Sequence, residues 1–277
     1  MEKDSILTYE KKVLIRSEQV DMTRRLRMSE LFRLMEEASI AHTEILGCTR
    51  DKTLDRGLLW IITRQQAEIE ELPAYDEEII VRSWQGDMMH VLFPRFYEIE
   101  REGKVIVRGQ ALWMLIEEES REMAMPEDYD IFIPGRPGSD DMMLPPITIP
   151  KEPAESSAPI QHAENSDAKD AASESASPAK QGLIIDDEIV TRFSQVDING
   201  HMNNTRYFDI IDDAEFSYRN SYGNPEFPTP RIITANYLSE LRAGDRFELK
   251  GYRDSAGTTY YEGADGDRIK FRIRKEY

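Results

Sequence analysis

The sequence contains a single cysteine, Cys48, and only four histidines among its 277 residues. One cysteine excludes an intramolecular disulfide and any metal site built on a pair of cysteines. The histidines are dispersed and show no recognisable metal-ligand spacing, and no glycine-rich phosphate loop occurs. We therefore expect no metal site and no other cofactor.

Long apolar runs are also missing. No stretch approaches the ~20 residues of a membrane-spanning helix, and the opening MEKDSILTYEKKVLIRSEQVD lacks the apolar centre of a signal peptide. Acidic residues outnumber basic ones by 53 to 35, so the formal net charge is −18. This charge disfavours nucleic acid and anionic membranes as partners. Together these features predict a cytoplasmic protein.

The chain is long enough for two domains, and 40% of its residues are hydrophobic. Residues 135–182 differ in composition from both flanks, being rich in Pro, Ser, Ala and acids and nearly free of aromatics. We interpret them as an acidic linker. Within it, MMLPPITI is apolar enough to lie against a domain surface. This gives an N-terminal domain at 1–134 and a C-terminal domain at 183–277.

The two flanks match each other, which indicates an internal duplication. EQVDMTRRLRMSEL in the first half aligns with SQVDINGHMNNTRY in the second at an offset of 176, which pairs Asp21 with Asp197. The same offset pairs Glu36 and Glu37 with Asp212 and Asp213. Further on, ELPAYD aligns with ELRAGD at an offset of 169, so the second copy has a shorter intervening loop.

Each copy predicts a short strand, a long helix and then an antiparallel meander. The helical period is marked in the second copy by Tyr207, Ile211, Ala214 and Tyr218, and in the first by Leu31, Met35, Ala38 and Ile45, with His42 near that stripe. β-branched and aromatic runs separated by turn residues follow each helix. We therefore predict an α+β fold in which each helix packs on a curved antiparallel sheet and the two sheets join.

The segment DINGHMNNTRY concentrates polar residues at the expected start of the second helix. In an extended loop, alternation places Asp197, Asn199 and His201 on one side. Asn203 and Asn204 stand where side chains cap free backbone N–H groups, at the electropositive end of a helix. The sequence therefore predicts a polar site at this end of the second helix, although His201 and the Asn pair could also serve structure alone.

This segment, followed by a glutamate after the strand IITANY, resembles the acyl-acyl-carrier-protein (acyl-ACP) thioesterases of plant plastids and their bacterial relatives. LLWIITRQQAEIEELPAYDEEIIVRSW and VIVRGQALWMLIEEESREM also resemble the N-terminal half of that family. The resemblance implies a double hot-dog fold, hydrolysis of fatty acyl-ACP thioesters and acyl carrier protein as partner. It leaves open whether the chain forms a homodimer.

The family places its catalytic acid at Glu240, which with Asn199 and His201 would activate a water molecule. Asp197 would hold the loop or share the acid–base work, so the proton acceptor remains open among Asp197, His201 and Glu240. Some relatives carry a cysteine after the glutamate, but here Leu241 follows and Cys48 lies in the other copy. A cysteine nucleophile is therefore not expected.

The first copy has Thr23 and Arg25 at the positions of Asn199 and His201, and Arg27 and Met28 in place of the Asn pair. Arginine cannot act as a base near neutral pH. The N-terminal domain is therefore expected to bind the acyl chain without catalysing hydrolysis.

Two features of the first half have both a structural and a substrate-binding interpretation. Trp60 could line the acyl tunnel or simply pack in the core. Arg24, Arg25 and Arg27 could contact the carrier or its phosphopantetheine phosphate, or form a solvated face. Alternatives to acyl-ACP hydrolysis are an acyl-CoA thioesterase, a hot-dog hydratase or dehydratase, and a non-catalytic acyl-binding module.

Overall fold

The computed structural model describes residues 6–139, 144–150, 182–221, 223 and 227–277. These residues form one ten-stranded antiparallel sheet and two long α-helices. The helices are α1 (Met28–Ile45) and α2 (Arg206–Ser221). The strands are β1 (Tyr9–Leu14), β2 (Leu58–Ile69), β3 (Glu78–Gln85), β4 (Leu92–Arg101), β5 (Lys104–Glu117), β6 (Gly182–Val190), β7 (Ile232–Tyr237), β8 (Arg246–Arg253), β9 (Thr259–Asp265) and β10 (Arg268–Glu276).

The sheet consists of two five-stranded halves that meet at one seam. Its strand order is β1-β3-β4-β5-β2-β7-β10-β9-β8-β6, so the second half repeats the order of the first in reverse. The seam is the antiparallel pairing of β2 with β7, in which Arg64 lies opposite Asn236 and Gln66 opposite Thr234. The predicted α+β fold with joined sheets is confirmed.

The two helices pack on the same face of the sheet and against each other. The rings of Phe32 in α1 and Phe208 in α2 stack with centroids 4.2 Å apart, and both side chains are fully buried. Gly109 on β5 leaves room for this packing of α1, because a Cβ there would lie 2.4 Å from the Met35 sulfur and the Met35 side chain would have to move. One hydrophobic core therefore runs through both halves.

The predicted helix stripes are buried, with one exception. Leu31, Met35 and Ala38 in the first helix are 4% exposed or less, as are Tyr207 and Ile211 in the second; Ala214 and Tyr218 pack at the edge of the core. The prediction for Ile45 is wrong: this last residue of α1 is 56% exposed. Burial of α1 ends one turn earlier, at the fully buried His42.

Part of the predicted linker lies across the seam on the opposite face of the sheet. Leu144 and Ile147 are buried there, and Leu144 packs against Phe96 and Leu112. Its carbonyl accepts a hydrogen bond from Arg64 of β2 at 2.7 Å. The backbone N–H of Ile147 donates to Asn236 Oδ1 of β7 at 2.8 Å, and its carbonyl accepts one from Arg272 of β10 at 3.1 Å.

Residues 144–150 thus contact five neighbouring strands, β4, β5, β2, β7 and β10, which belong to both halves, as the apolar stretch MMLPPITI indicated. Residues 140–143 and 151–181 of the predicted linker lie outside the described residues. No helix in the described part of the chain is long and apolar enough to cross a membrane.

Candidate active site

The loop before α2 is held by hydrogen bonds that its own sequence supplies. Gln195 bridges its two ends: its side-chain oxygen accepts from the Arg192 N–H at 2.7 Å, and its carbonyl accepts from the Asn203 N–H at 2.9 Å. The Met202 N–H donates to the carbonyl of Leu241, one residue beyond Glu240, at 2.7 Å. This bond holds the loop that carries His201 directly beside Glu240.

Asp197 stabilises the tip of this loop. Its Oδ1 accepts a hydrogen bond from the Asn199 N–H at 2.8 Å, an Asx turn, and its own N–H donates to the His201 carbonyl at 2.9 Å. Gly200 completes the turn with a left-handed φ of +78°. These contacts favour the loop-holding role for Asp197, one of the two roles that the sequence left open.

His201 and Glu240 form the central pair of the site. His201 Nε2 lies 2.9 Å from Glu240 Oε2, with the His201 side chain 12% exposed and that of Glu240 34% exposed. Arg121 and Arg242 approach the same carboxylate at 3.4 and 3.8 Å. Burial lowers the pKa of His201, opposed in part by the negative charge of Glu240. The imidazole is therefore neutral at pH 7, the form that can accept a proton.

The Asn pair stands at the start of the helix, as predicted, since α2 begins at Arg206. Asn203 Oδ1 accepts from the Thr205 N–H at 3.0 Å and from the Thr205 hydroxyl at 2.6 Å. The Asn204 carbonyl accepts from the Tyr237 hydroxyl at 2.7 Å. Asn203 thus closes an Asx turn just before the helix, whereas Asn204 lines the cavity described below.

Glu36 of the first helix reaches the same place from the other half. Asn203 Nδ2 donates to it at 3.5 Å. The end of the Asn204 side-chain amide lies 3.2 and 3.3 Å from its two carboxyl oxygens, so the amide donates to Glu36 in the orientation that presents its nitrogen. Burial, together with the charge of Asp197, raises the pKa of Glu36 to about 7, although the bond from Asn203 opposes the shift. A carboxyl group that titrates near neutral pH is typical of functional sites.

Two cavities meet at these residues. The larger, of about 780 Å³, is lined by Asp197, Asn199, His201, Asn204 and Glu240 among others. The smaller, of about 300 Å³, lies between α1 and the strands of the first half. Residues common to both walls are Glu36, Leu59, Trp60, Trp113 and Asn199.

Trp60 thus stands where the polar site adjoins the smaller cavity. Its ring packs edge-on against Phe93, with centroids 4.9 Å apart. This position agrees with the predicted role of Trp60 in lining an acyl tunnel.

Arg24, Arg25 and Arg27, which were expected to contact the carrier, line neither cavity. They belong to the first-half loop, where Arg27 donates to the Glu18 carbonyl and Arg25 reaches the Leu72 carbonyl at 3.5 Å. The structure does not bring them to the site, because the two matching loops lie in different halves of the sheet. The cations that line the larger cavity are Arg121, Arg242, Arg268 and Lys270.

The corresponding loop of the first half has the same frame without the same chemistry. Asp21 Oδ1 accepts from the Thr23 N–H at 2.7 Å, and the Asp21 N–H donates to the Arg25 carbonyl at 2.9 Å. Glu71, the counterpart of Glu240, pairs with Arg101 at 2.6 Å. Arg25 occupies the histidine position, so this loop presents no base.

Cys48 lines the smaller cavity, but it is buried. Burial raises the pKa of its thiol to about 11, so the thiolate that a nucleophile requires is scarce at neutral pH. Leu241, at the position where some relatives carry cysteine, is fully buried. Neither position supplies a nucleophile.

Sequence reasoning missed Glu36 and Arg121, both contributed by the first half. Arg121 follows β5, and nothing in its local sequence points to Glu240. For Glu36 a signal existed, since the duplication pairs it with Asp212 and it stands between Met35 and Ala38 of the buried stripe. A carboxylate beside the buried stripe in both copies argues against an ordinary surface acid at this position.

Two family models match this chain and together cover most of it. The model described as the acyl-ACP thioesterase N-terminal domain matches residues 6–131. The model described as the acyl-ACP thioesterase C-terminal domain matches residues 180–276.

Curated relatives include an acyl-[acyl-carrier-protein] hydrolase of Cuphea viscosissima, 21% identical over 208 residues. That match covers 70% of this chain and 43% of the relative. A palmitoyl-acyl carrier protein thioesterase of Arabidopsis thaliana is 19% identical over 216 residues, which cover 74% of this chain and 46% of the relative. The chain therefore matches less than half the length of these relatives.

Two solved structures resemble the whole chain. An acyl-ACP thioesterase from Bacteroides thetaiotaomicron superimposes with a TM-score of 0.68 at 18% identity, covering 99% of this chain and 98% of that one. The 12:0-ACP thioesterase from Umbellularia californica superimposes with a TM-score of 0.71 at 15% identity, covering 98% of this chain and 96% of that one. The arrangement of two helices on one ten-stranded sheet is therefore the double hot-dog fold of these structures.

Proposed function

The chain belongs to the acyl-ACP thioesterase family, and from that premise we propose that it hydrolyses fatty acyl-ACP thioesters to free fatty acids. The observation that carries this proposal is the His201–Glu240 pair, 2.9 Å apart. It lies in the wall of a cavity that shares Trp60 and Asn199 with a second, smaller cavity. A base beside a pocket that can hold a chain is what thioester hydrolysis requires.

In the proposed mechanism His201 is the general base. Neutral His201 donates its Nε2–H to Glu240, which leaves Nδ1 free to take a proton from water. The water oxygen attacks the thioester carbon, and as the C–S bond breaks the imidazolium gives the proton to the departing thiolate sulfur, which leaves the free acid and the thiol as products. Glu240 orients the imidazole through this bond, and Arg121 and Arg242 hold its carboxylate in place by ion pairs at 3.4 and 3.8 Å.

The carbonyl oxygen becomes negative during this attack and needs hydrogen-bond donors. We assign this role to the Asn199 side chain and to the amino-terminal end of α2, where the helix dipole favours negative charge. Asn204 contributes to the same wall of the cavity. Glu36 acts as a positioning residue, since it contacts both members of the Asn pair.

We further propose that the two halves arose by duplication and divided the work. Support comes from the matching loop hydrogen bonds and from the reversed strand order of the two halves. The N-terminal domain holds the acyl chain in the smaller cavity, and the C-terminal domain carries the reacting groups. Arg121, Arg242, Arg268 and Lys270, rather than the arginines of the first loop, provide the positive charge for phosphopantetheine phosphate.

The test is a comparison of kcat/KM on acyl-ACP and acyl-CoA substrates of the same chain length, with products identified by mass. We expect free fatty acid as product and a higher kcat/KM for acyl-ACP. Equal or better use of acyl-CoA would reassign the carrier. An enoyl or 3-hydroxyacyl thioester as product would overturn hydrolysis, and binding without turnover would make the chain an acyl-binding module.

A further inference from the structure

A positively charged side chain is buried in the wall of the smaller cavity. Arg95 projects from β4, is 2% exposed and is among the largest buried side chains of the chain. It lines this cavity together with Thr43, Gln85, Phe93 and other residues. Although burial lowers the pKa of Arg95 to about 10, the guanidinium remains charged at neutral pH.

The partners of Arg95 are neutral. Its Nη2 donates to the Thr43 hydroxyl at 2.6 Å, and its Nη1 lies 2.7 Å from His42 Nδ1. His42 Nε2 donates to the Ile6 carbonyl at 2.8 Å, so Nδ1 is the acceptor of the Arg95 bond. Burial lowers the pKa of His42 to about 4, and the ring is therefore uncharged. Among the described residues, no carboxylate forms an ion pair with Arg95.

The second half shows how the same fold treats another buried cation. Lys275 of β10, 1% exposed, is held by Asp212 at 2.7 Å and Glu215 at 2.8 Å. A buried charge normally requires such a partner, because it has lost its hydration. Tyr261 stands in the second half where Arg95 stands in the first, by the register of β9 and β10. The fold therefore has no need of a cation at this position.

A buried guanidinium that faces a cavity without a counter-ion is suited to a ligand oxygen, since it can bind a carboxylate through two hydrogen bonds. Glu36, Ser39 and Thr43 lie at intervals of three and four residues on the face of α1 that lines this cavity. Glu36 contacts the Asn pair of the reaction site, and Thr43 contacts Arg95. At 1.5 Å per residue, these two ends are ~10 Å apart along the helix.

We propose that Arg95 binds an oxygen at the far end of the acyl chain, so that the cavity selects acyl groups ending in a carboxylate or hydroxyl over those ending in methyl. This inference rests on the proposed hydrolase function and adds the class of acyl group. A plain chain would place its methyl end against a buried cation that has no counter-ion. A terminal oxygen would instead accept a further hydrogen bond from the guanidinium, and a carboxylate would also neutralise the charge.

The test uses acyl-ACP substrates in a length series, each with a methyl, a hydroxyl or a carboxylate at the far end. We expect wild-type kcat/KM to favour an oxygen-ended chain by at least about tenfold at the preferred length, the worth of one hydrogen bond to a charged group. Arg95→Met should reverse this preference. Arg108→Met, which removes an exposed arginine of the adjacent strand, should leave it unchanged. Comparing the hydroxyl-ended with the carboxylate-ended substrates shows whether the Arg95 site prefers a neutral oxygen or an anion.

A binding measurement separates this inference from the hydrolase proposal. Calorimetry on the wild-type protein should show α,ω-dicarboxylic acids binding more tightly than monocarboxylic acids of equal length. If no thioester is cleaved but the diacids bind preferentially, hydrolysis fails and the Arg95 site stands. A wild-type preference for methyl ends at every length, or tighter binding of monoacids, overturns the site even if Arg95→Met does not fold. So does an oxygen preference that persists in folded Arg95→Met protein.

Discussion

The two halves of the chain share a loop framework but differ in what fills the space between helix and sheet. Asp21 and Asp197 each close an Asx turn with nearly the same distances. In the first half, Ser39 and Trp113 border the smaller cavity. In the second, their positional counterparts are Glu215 and Lys275, which form a buried ion pair at 2.8 Å. The same scaffold thus contains a pocket in one half and a charged network in the other.

This difference indicates that the loop and the helix–sheet interface changed separately. The first half kept its loop geometry, has no base there and contains the cavity. The second half has His201 and Glu240, while Lys275 and Glu215 pair in its interior, where Asp212 and the Tyr277 hydroxyl also bond to them. Nor is the first half inert, because Glu36 and Arg121 contact the site residues of the second. The candidate site is therefore a property of the joined pair.

The largest effect is expected from the histidine that distinguishes the two loops. His201→Ala should lower kcat for acyl-ACP hydrolysis by about 10²- to 10⁴-fold, the usual contribution of a general base. The matched variant is Arg25→Ala in the first half, expected to change kcat by no more than about twofold, as for a surface substitution. Comparable losses from both variants, with unchanged melting temperatures, would contradict the division of work between the halves.

The second prediction concerns the two buried cations. Lys275→Met leaves Asp212 without its cation and Glu215 with Arg219 alone, and should lower the free energy of unfolding by about 3–5 kcal/mol. Arg95→Met leaves no carboxylate unpaired and should lower the free energy of unfolding by much less. Urea unfolding of both variants measures the difference. If Arg95→Met proves as destabilising as Lys275→Met, Arg95 is a structural cation and the contrast between the interiors is lost.

The third prediction separates the two roles left open for Asp197. Asp197→Ala removes the acceptor of the Asx turn and should lower kcat by about 10- to 100-fold, since a hydrogen bond to a charged group is worth about 1.5–3 kcal/mol. Asp197→Asn keeps an oxygen at Oδ1 and should retain most activity. Asp21→Ala should leave kcat unchanged. An Asn variant as inactive as the Ala variant would instead assign acid–base work to Asp197.

The smallest effect is a dependence of stability on pH that belongs to Glu36. Its pKa is raised by burial from 4.5 to about 7, so between these values the folded protein binds a proton that the unfolded chain has released. Its contribution to stability therefore falls as pH rises from about 4.5 to about 7. Unfolding of Glu36→Gln across this range should lack that component, whereas the exposed neighbour variant Glu37→Gln should retain it. If stability depends on pH in the same way for the wild type, Glu36→Gln and Glu37→Gln, Glu36 is not buried in its neutral form.

Patterns within each half, and the match between the two halves, predicted most of the fold. Hydrophobic period placed both helices, and the alignment of Asp21 with Asp197 anticipated two loops with one framework. The pairing of His201 with Glu240 followed from the family resemblance. Contacts between the halves were not predicted, because they depend on the register of β2 against β7, which sequence period does not encode. Glu36, Arg121 and the position of the first-half arginines all depend on that register.

The central claim is that the reacting pair of the site lies in the second half and has no working counterpart in the first, and the matched glutamates test it most directly. Glu240 pairs with His201, whereas Glu71 pairs with Arg101. The measurement is the single-turnover rate of acyl-ACP hydrolysis for Glu240→Gln and Glu71→Gln. We predict a loss of about 10²-fold or more for Glu240→Gln and a wild-type rate for Glu71→Gln. Equal rates for the two variants would contradict the claim.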